Sequence, residues 1–355
     1  MSTIPTLPGI TSQMVETPRI NIHVLSSGQP GATPVLFIHG NASSATFWEE
    51  IMLKLPPQYR AFAPDLRGYG DTEDKLIDAT SGFKDWVEDL LALKQALGIG
   101  RYHVVGHSMG GGLVFSLMVA DAQNIISATL VDPASPYGFG GTKDLEGTPC
   151  WPDFAGSGGG TVNPDFPKLM AAGDRSTDNP QASPRVVMNT FYWKPPFKAA
   201  REEDLLSSLL SEKVGPDKYP GDFVASPNWP NVAPGVLGPV NAFSPKYVGD
   251  TVERFLSLTS KPPILWVRGS DDQIVSDNSL FDFGTLGKLG AIPGWPGDEI
   301  YPPQPMVGQT RAVLTKYAAN GGQYWEKVIQ DTGHSPYVEK PDEFTALLRE
   351  HLSLA

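Results

Sequence analysis

The stretch Tyr102-His-Val-Val-Gly-His-Ser-Met-Gly-Gly-Gly-Leu113 limits the possible folds more than any other part of the chain. A β-branched run ends at Val105, a Gly-His-Ser-Met-Gly pentad follows, and a glycine-rich start leads into the apolar run from Leu113 to Val119. That order predicts a strand, a sharp turn and a helix, with Ser108 at the apex. Gly106 and Gly110 suit a place where strand and helix pass too closely for side chains. Such a turn lifts the serine hydroxyl above the sheet, beside the free N–H groups and positive dipole end of the helix. In a chain with 37 glycines the pentad alone decides little, so its surroundings must agree with it. The plain alternative is a glycine-flanked serine in an ordinary strand-to-helix loop.

At 355 residues the chain suits one large core with an insertion, or two closely joined parts. Hydrophobic residues make up 40% and charged residues 19%, the range of a folded globular protein. A net charge of −12 argues against nucleic acid or an anionic membrane as the main partner. The lone Cys150 has no partner for an internal disulfide and is expected to be a passive thiol. Met1 to Ile10 has neither the basic nor the apolar segment of a signal peptide, and no run of about 18 apolar residues occurs. The expected location is cytoplasmic.

Taken in order, two short runs, Gln13–Glu16 and Arg19–Leu25, predict an antiparallel hairpin. Pro34–His39 reads as a strand buried on both faces, followed by a helix over Ala45–Leu55. Tyr59–Pro64 predicts another strand, leading into Asp65-Leu-Arg-Gly-Tyr-Gly70. Phe83, Trp86, Val87, Leu90, Leu93 and Leu97 mark one face of a helix. Ile126–Val131 predicts the strand after the serine turn, ending in Asp132. Strands alternating with helices imply a parallel sheet with right-handed crossovers, whose ligands sit at the carboxyl ends of the strands.

Between about Tyr137 and Pro245 the texture changes to dense Gly, Pro, Ser and Asn with many aromatics, and short helices are expected at Ser183–Phe191 and Glu202–Leu210. An unstructured loop of that length is improbable in a compact core. Residues 137–245 are therefore expected to form a cap or lid over a core made of 1–136 and 246–355. Alternation resumes with a helix over Val252–Leu258 and a strand over Ile264–Arg268, which runs into Gly269-Ser-Asp-Asp-Gln-Ile-Val275. Phe281–Pro305 is expected to form a further pocket wall. A helix over Met306–Ala319, a strand over Tyr324–Ile329, the segment Thr332-Gly-His-Ser-Pro336 and a helix over Asp342–Leu354 complete the chain.

Ser108, an aspartate near 272 and His334 thus fall at predicted strand-to-loop junctions in the order Ser, Asp, His. A serine hydroxyl is a poor nucleophile unless an imidazole takes its proton, and the imidazole needs a carboxylate to hold its tautomer. His334 is the candidate base, with Gly333 allowing a tight loop to aim it. An exposed loop histidine is the alternative. Asp271 and Asp272 point in opposite directions, and Asp272 is preferred as the acid. Asp132, at an earlier strand end, is a third possibility with a structural role favoured. Acyl transfer also needs donors for a developing oxyanion. The turn offers the N–H of Met109, and the loop after Gly40 offers that of Asn41 or else Ala42. His39 is expected to pack beneath the site. No phosphate loop and no metal-ligand spacing is visible, so no cofactor and no metal is expected.

His39-Gly40-Asn41, Asp65-Leu-Arg-Gly-Tyr-Gly70, Gly106-His-Ser-Met-Gly110, Gly269-Ser-Asp-Asp-Gln-Ile-Val275 and Gly333-His334 together resemble the α/β-hydrolase superfamily. The likeness covers roughly residues 11–135 and 250–355. It implies an α/β fold with a mostly parallel sheet, Ser108 as nucleophile, His334 as base, Asp272 as its orienting acid, and Asn41 and Met109 as oxyanion donors. The texture is nearest the epoxide-hydrolase, dehalogenase and esterase branch with a cap after the sixth strand. Its epoxide hydrolases and dehalogenases carry an aspartate where this chain has Ser108, which weighs against both activities. The expected function is a serine hydrolase that cleaves an ester or related acyl bond of an apolar small molecule through an acyl-enzyme. Amide, lactone or carbon–carbon bond hydrolysis, and a non-catalytic ligand receptor on the same fold, are the alternatives. Oligomeric state has no signature in the chain.

Overall fold

A computed structural model describes residues 4–354. Ten strands occur there: β1 (Thr11–Val15), β2 (Ile22–Ser27), β3 (Thr33–Ile38), β4 (Tyr59–Pro64), β5 (Tyr102–His107), β6 (Ile125–Val131), β7 (Phe223–Ala225), β8 (Val232–Pro234), β9 (Ile264–Gly269) and β10 (Tyr324–Ile329). Eight of them form one sheet in the order β1-β2-β4-β3-β5-β6-β9-β10. The β1–β2 and β2–β4 pairs are antiparallel, and the strands from β4 to β10 pair in parallel. The chain has an α/β-hydrolase fold, as expected.

Burial explains the strand sequences. Val35, Phe37, Ile38, Val104, Val105, Leu130, Val131, Ile264 and Val267 lie in the interior, because a parallel sheet covered by helices on both faces leaves no wet side for polar residues. The helix Met109–Asp121 is buried over nearly its whole length, which accounts for an apolar run that is not confined to one face. Its first turn lies against the end of β3. A Cβ at Gly110 would stand 2.4 Å from the His39 carbonyl oxygen and 2.7 Å from that of Ile38. The helices Lys84–Ala96, Glu202–Leu210, Met306–Ala319 and Pro341–Leu354 lie where the periodicity puts them.

Two helical expectations are altered by tertiary contacts. Instead of one helix over Ala45–Leu55, a 3₁₀ turn at Ala45–Trp48 leads into a short helix at Glu49–Leu53. The Asp65 carboxylate accepts the Ala45 N–H at 2.8 Å, and Ser44 bonds to Ser208 at 2.5 Å. The segment is anchored sideways before it can start as a regular helix. Similarly, the helix expected at Ser183–Phe191 is a turn at Pro184–Val187 that widens into a π-helix at Met188–Tyr192. The wider winding ends where the Tyr192 hydroxyl donates to the Ala42 carbonyl at 2.9 Å.

Residues 137–245 leave the sheet after β6 and return before β9, carrying short helices and the β7–β8 hairpin. Many of their aromatics are spent on packing. Trp193 is buried in the main apolar cluster, and Trp229 joins Cys150 and Tyr301 in a smaller one edged by Trp151, Phe283, Ile292 and Trp295. The Trp229 and Tyr301 ring centres are 4.8 Å apart. The segment 281–305, expected as a further pocket wall, shares this small core with the insertion. Burial pushes the Cys150 thiol up to about 12, which keeps it protonated and passive.

Asp282 ties this second segment down. Its carboxylate accepts the N–H groups of Thr285 at 3.2 Å and Gln304 at 3.1 Å, yet burial outweighs them and raises its pKa to about 6. Between the ordinary aspartate value and about 6 the folded chain holds a proton that the unfolded chain has lost, so this group's contribution to stability falls as pH rises through that interval. We expect Asp282→Asn, which retains an acceptor oxygen, to remove a loss of roughly 3 kcal/mol over that range. Urea denaturation of both proteins at a series of pH values checks it, and parallel pH profiles would contradict it.

Candidate active site

The strand-turn-helix motif folds as its sequence requires. Ser108 sits between β5 and the helix Met109–Asp121 at φ 56° and ψ −121°, a conformation disfavoured for any residue with a Cβ. Backbone bonds hold it there. Its N–H donates to the Val131 carbonyl at 2.9 Å, and its own carbonyl accepts from Ala134 at 2.9 Å and Gly112 at 3.0 Å. Ser108 is partly exposed, although the residues flanking it are buried. The close approach of Gly40, whose Cβ would stand 2.9 Å from that of Ser108, brings the loop 40–42 over the serine. Among the described residues, the N–H groups of Asn41 and Met109 have no hydrogen-bond acceptor.

His334 lies in the loop after β10, and its Nδ1 is 2.8 Å from Asp272 Oδ2, with both side chains buried. The other Asp272 oxygen accepts the N–H groups of Ile274 at 2.7 Å and Val275 at 3.1 Å, which fixes the carboxylate. Asp271 faces away and pairs with Lys194 at 2.9 Å. Of the two neighbouring aspartates, Asp272 is the one beside His334. No hydrogen bond joins Ser108 Oγ to His334 among the described residues. Such contacts are often long before substrate binds.

Asp132 joins this group from the end of β6. Its Oδ1 accepts the Gly269 N–H at 3.0 Å, and one oxygen each from Asp132 and Asp272 lies within 4.8 Å of a His334 nitrogen. Burial, and then the Asp272 carboxyl beside it, hold Asp132 well above the usual carboxylate range, because two adjacent carboxylates cannot both ionise in a dry site. The second Asp132 oxygen, Oδ2, is buried without a hydrogen-bond partner among the described residues.

Several residues that sequence reasoning passed over shape the site. His107, inside the pentad, donates from Nε2 to the His334 carbonyl at 2.7 Å, and its ring lies 4.7 Å from that of His334. Burial and the neighbouring imidazole keep His107 well below the ordinary histidine range, so one nitrogen stays a donor and the other an acceptor, here for the Tyr337 hydroxyl at 3.3 Å. Glu339 accepts the N–H groups of Gly333 at 2.6 Å and Lys194 at 2.9 Å, tying the histidine loop to the insertion. Its place one turn downstream of His334 was the only hint in the sequence.

Gly333 serves the loop through close approach and not through a left-handed backbone. The left-handed residue of this loop is Asp331, at φ 53°. Gly333 is needed because a Cβ there would lie 2.8 Å from the Trp193 carbonyl carbon and 2.9 Å from the Lys194 nitrogen. His39 packs beneath the site, as expected. Its Nδ1 donates to the Gly40 carbonyl at 2.7 Å, Nε2 accepts the Leu66 N–H at 3.0 Å, and burial lowers its pKa. In the Asp65–Gly70 segment, Tyr69 donates to Asn41 Oδ1 at 2.8 Å, so this segment braces the loop above the serine. Ala42, the alternative oxyanion donor, is at φ 46° with its carbonyl taken by Tyr192.

Comparison with known proteins bears on this arrangement. The sequence model of the alpha/beta hydrolase family matches residues 35–347. Among curated proteins, a Bacillus subtilis protein named as an uncharacterized carboxylesterase, nap, is 29% identical over 116 residues, which are 32% of this chain and 38% of that one. Epoxide hydrolase 2 of Siraitia grosvenorii is 40% identical over 97 residues, 27% of this chain and 30% of that protein. The chain thus matches well under half the length of these curated relatives. The solved carboxylesterase CesB from Bacillus subtilis superposes with a TM-score of 0.59 at 13% identity, over 98% of this chain and 92% of that one, a likeness of fold. No helix among the described residues is long and apolar enough to cross a membrane. With the family pattern running from within β3 to past β10, across the parallel part of the sheet and the loops that carry Ser108 and His334, the chain belongs to the alpha/beta hydrolase family.

Proposed function

We propose that the protein is a serine hydrolase that cleaves a carboxylic ester or related acyl bond of a small molecule, with Ser108, His334 and Asp272 as its triad. The observation that carries this reading is the buried 2.8 Å contact between His334 Nδ1 and Asp272 Oδ2, on the loop held by the residue next to a strained Ser108. Asp272 keeps the Nδ1 proton in place, which leaves Nε2 free to take a proton from Ser108 Oγ as it attacks the carbonyl. The N–H groups of Asn41 and Met109 receive the oxyanion, and each such donor contributes roughly 3 kcal/mol of barrier lowering. Collapse releases the alcohol with the proton from His334. Water, deprotonated by the same imidazole, then attacks the Ser108 ester and frees the acid.

Residues 137–245 act in this reading as a cap over the strand ends, with 1–136 and 246–355 as the hydrolase core. The cap's contacts with Gly333, Ala42 and Asn41 through Trp193, Tyr192 and Tyr219 favour that role. Because many cap aromatics are buried in packing, they argue less for an apolar substrate than their number in the sequence implies.

Ser108→Ala is expected to lower turnover of a short-chain nitrophenyl ester by at least about a thousandfold and to abolish labelling by a fluorophosphonate probe. Unchanged labelling would reject the nucleophile. His107→Leu removes the donor to the His334 carbonyl. It is expected to reduce kcat by about ten- to a hundredfold through misplacement of the imidazole, while Ser108→Ala in the same background costs correspondingly less. A His107→Leu enzyme with wild-type kcat would show that His334 is positioned by other means.

A further inference from the structure

One acid of the insertion has no part in the chemistry above. Glu212 follows the helix Glu202–Leu210 and is only 4% exposed, and neither of its carboxyl oxygens has a hydrogen-bond partner among the described residues. It faces three buried tyrosines, Tyr69, Tyr192 and Tyr219, and points toward the Ala42 N–H and the Tyr69 hydroxyl without closing a bond to either. Two of the tyrosine protons are already committed elsewhere. Tyr69 donates to Asn41 Oδ1 at 2.8 Å, and Tyr192 donates to the Ala42 carbonyl at 2.9 Å.

A buried carboxyl without partners is costly unless something arrives to bond it. Its position narrows what that can be. Its nearness to the Ala42 backbone sets it one residue from Asn41, the proposed oxyanion donor, so the group we expect to reach it belongs to the bound ester. Burial holds Glu212 well above the usual carboxylate range, so it offers one O–H donor and one acceptor. A hydroxyl matches both, donating to one carboxyl oxygen and accepting from the other. An alkyl chain would leave both unbonded. An ammonium would have to lose its water and ionise Glu212 among tyrosines.

We propose that Glu212 is the specificity determinant of a polar subsite beside the 41–42 loop, recognising an uncharged hydroxyl a few bonds from the reacting carbonyl. The preferred substrate class is then a hydroxylated ester rather than a wholly apolar one. This inference rests on the serine-hydrolase reading.

The test measures kcat/KM for ethyl butanoate, ethyl 3-hydroxybutanoate, 2-hydroxyethyl butanoate and ethyl 3-aminobutanoate by acid release. The wild-type enzyme is expected to favour one hydroxylated ester over ethyl butanoate by about thirtyfold or more, since a site built around a hydroxyl rejects the analogue that lacks it. In Glu212→Leu that ratio should fall to near one, and in Glu212→Gln, which keeps a donor and an acceptor, most of it should survive. A wild-type ratio near one would overturn the proposal without reference to any variant. So would a ratio that persists in Glu212→Leu, because purely structural support of the loop lowers both rates together. A preference for the amino ester would overturn the hydroxyl assignment. Fluorophosphonate labelling run alongside separates the two levels: labelling without preference rejects the subsite alone, and no labelling rejects the nucleophile on which it rests.

Discussion

The arrangement depends on a seam of bare backbone at the carboxyl end of the sheet. A Cβ at Gly269 would stand 1.9 Å from the Gly333 carbonyl oxygen, and on the other side of that loop Gly333 lies against the backbone of Trp193 and Lys194. Three segments, the end of β9, the loop after β10 and the insertion, stack there with no side chains between them. Neighbouring strands stand about 4.8 Å apart, so loops leaving β9 and β10 can meet only if both stay thin. Because they do, Asp272 and His334 close a 2.8 Å contact from adjacent strand ends.

Charge is managed around that seam mostly by withholding it. Asp132, His39 and His107 are buried and held in their neutral forms, which avoids the desolvation cost of several uncompensated ions in a small dry volume. Neutrality also gives each a defined hydrogen-bonding role. Asp132 accepts the Gly269 N–H, His107 donates to the His334 backbone, and His39 bridges Gly40 and Leu66. Asp65 is the contrast. Burial would raise its pKa, but the His23 ring at 2.7 Å and the Ala45 N–H lower it further. It remains an anion that pins the start of the segment after β3. Glu212 has no such set of donors, which sets it apart from the other buried acids near the loop.

Much of the sheet was legible beforehand because parallel strands covered on both faces read as unbroken apolar runs, as Pro34–His39 and Ile264–Arg268 do. Helices with a single wet face, such as Lys84–Ala96, were equally plain. What escaped were segments whose partners are remote in sequence. The turn at Ala45–Trp48 answers to Asp65 and Ser208, and the π-helix at Met188–Tyr192 ends on Ala42. Neither partner leaves a mark in the local pattern. Gly333 stands in the expected tight loop, and the reason for its missing side chain, the close approach of Trp193 and Lys194, lies far away in sequence.

The chain alone determined the order of strands and helices, the placing of Ser108 between a strand and a helix, and the residue types offered at the strand ends, because these follow from periodicity and from backbone preferences acting over a few residues. Tertiary structure decided which of two adjacent aspartates meets His334, that Asp132 keeps its proton, that His107 holds the histidine loop, and that Glu212 is buried unbonded beside residues 41 and 42. Those outcomes depend on burial and on distances between loops from 62 to more than two hundred residues apart, and no short window of sequence contains both sides of such a contact.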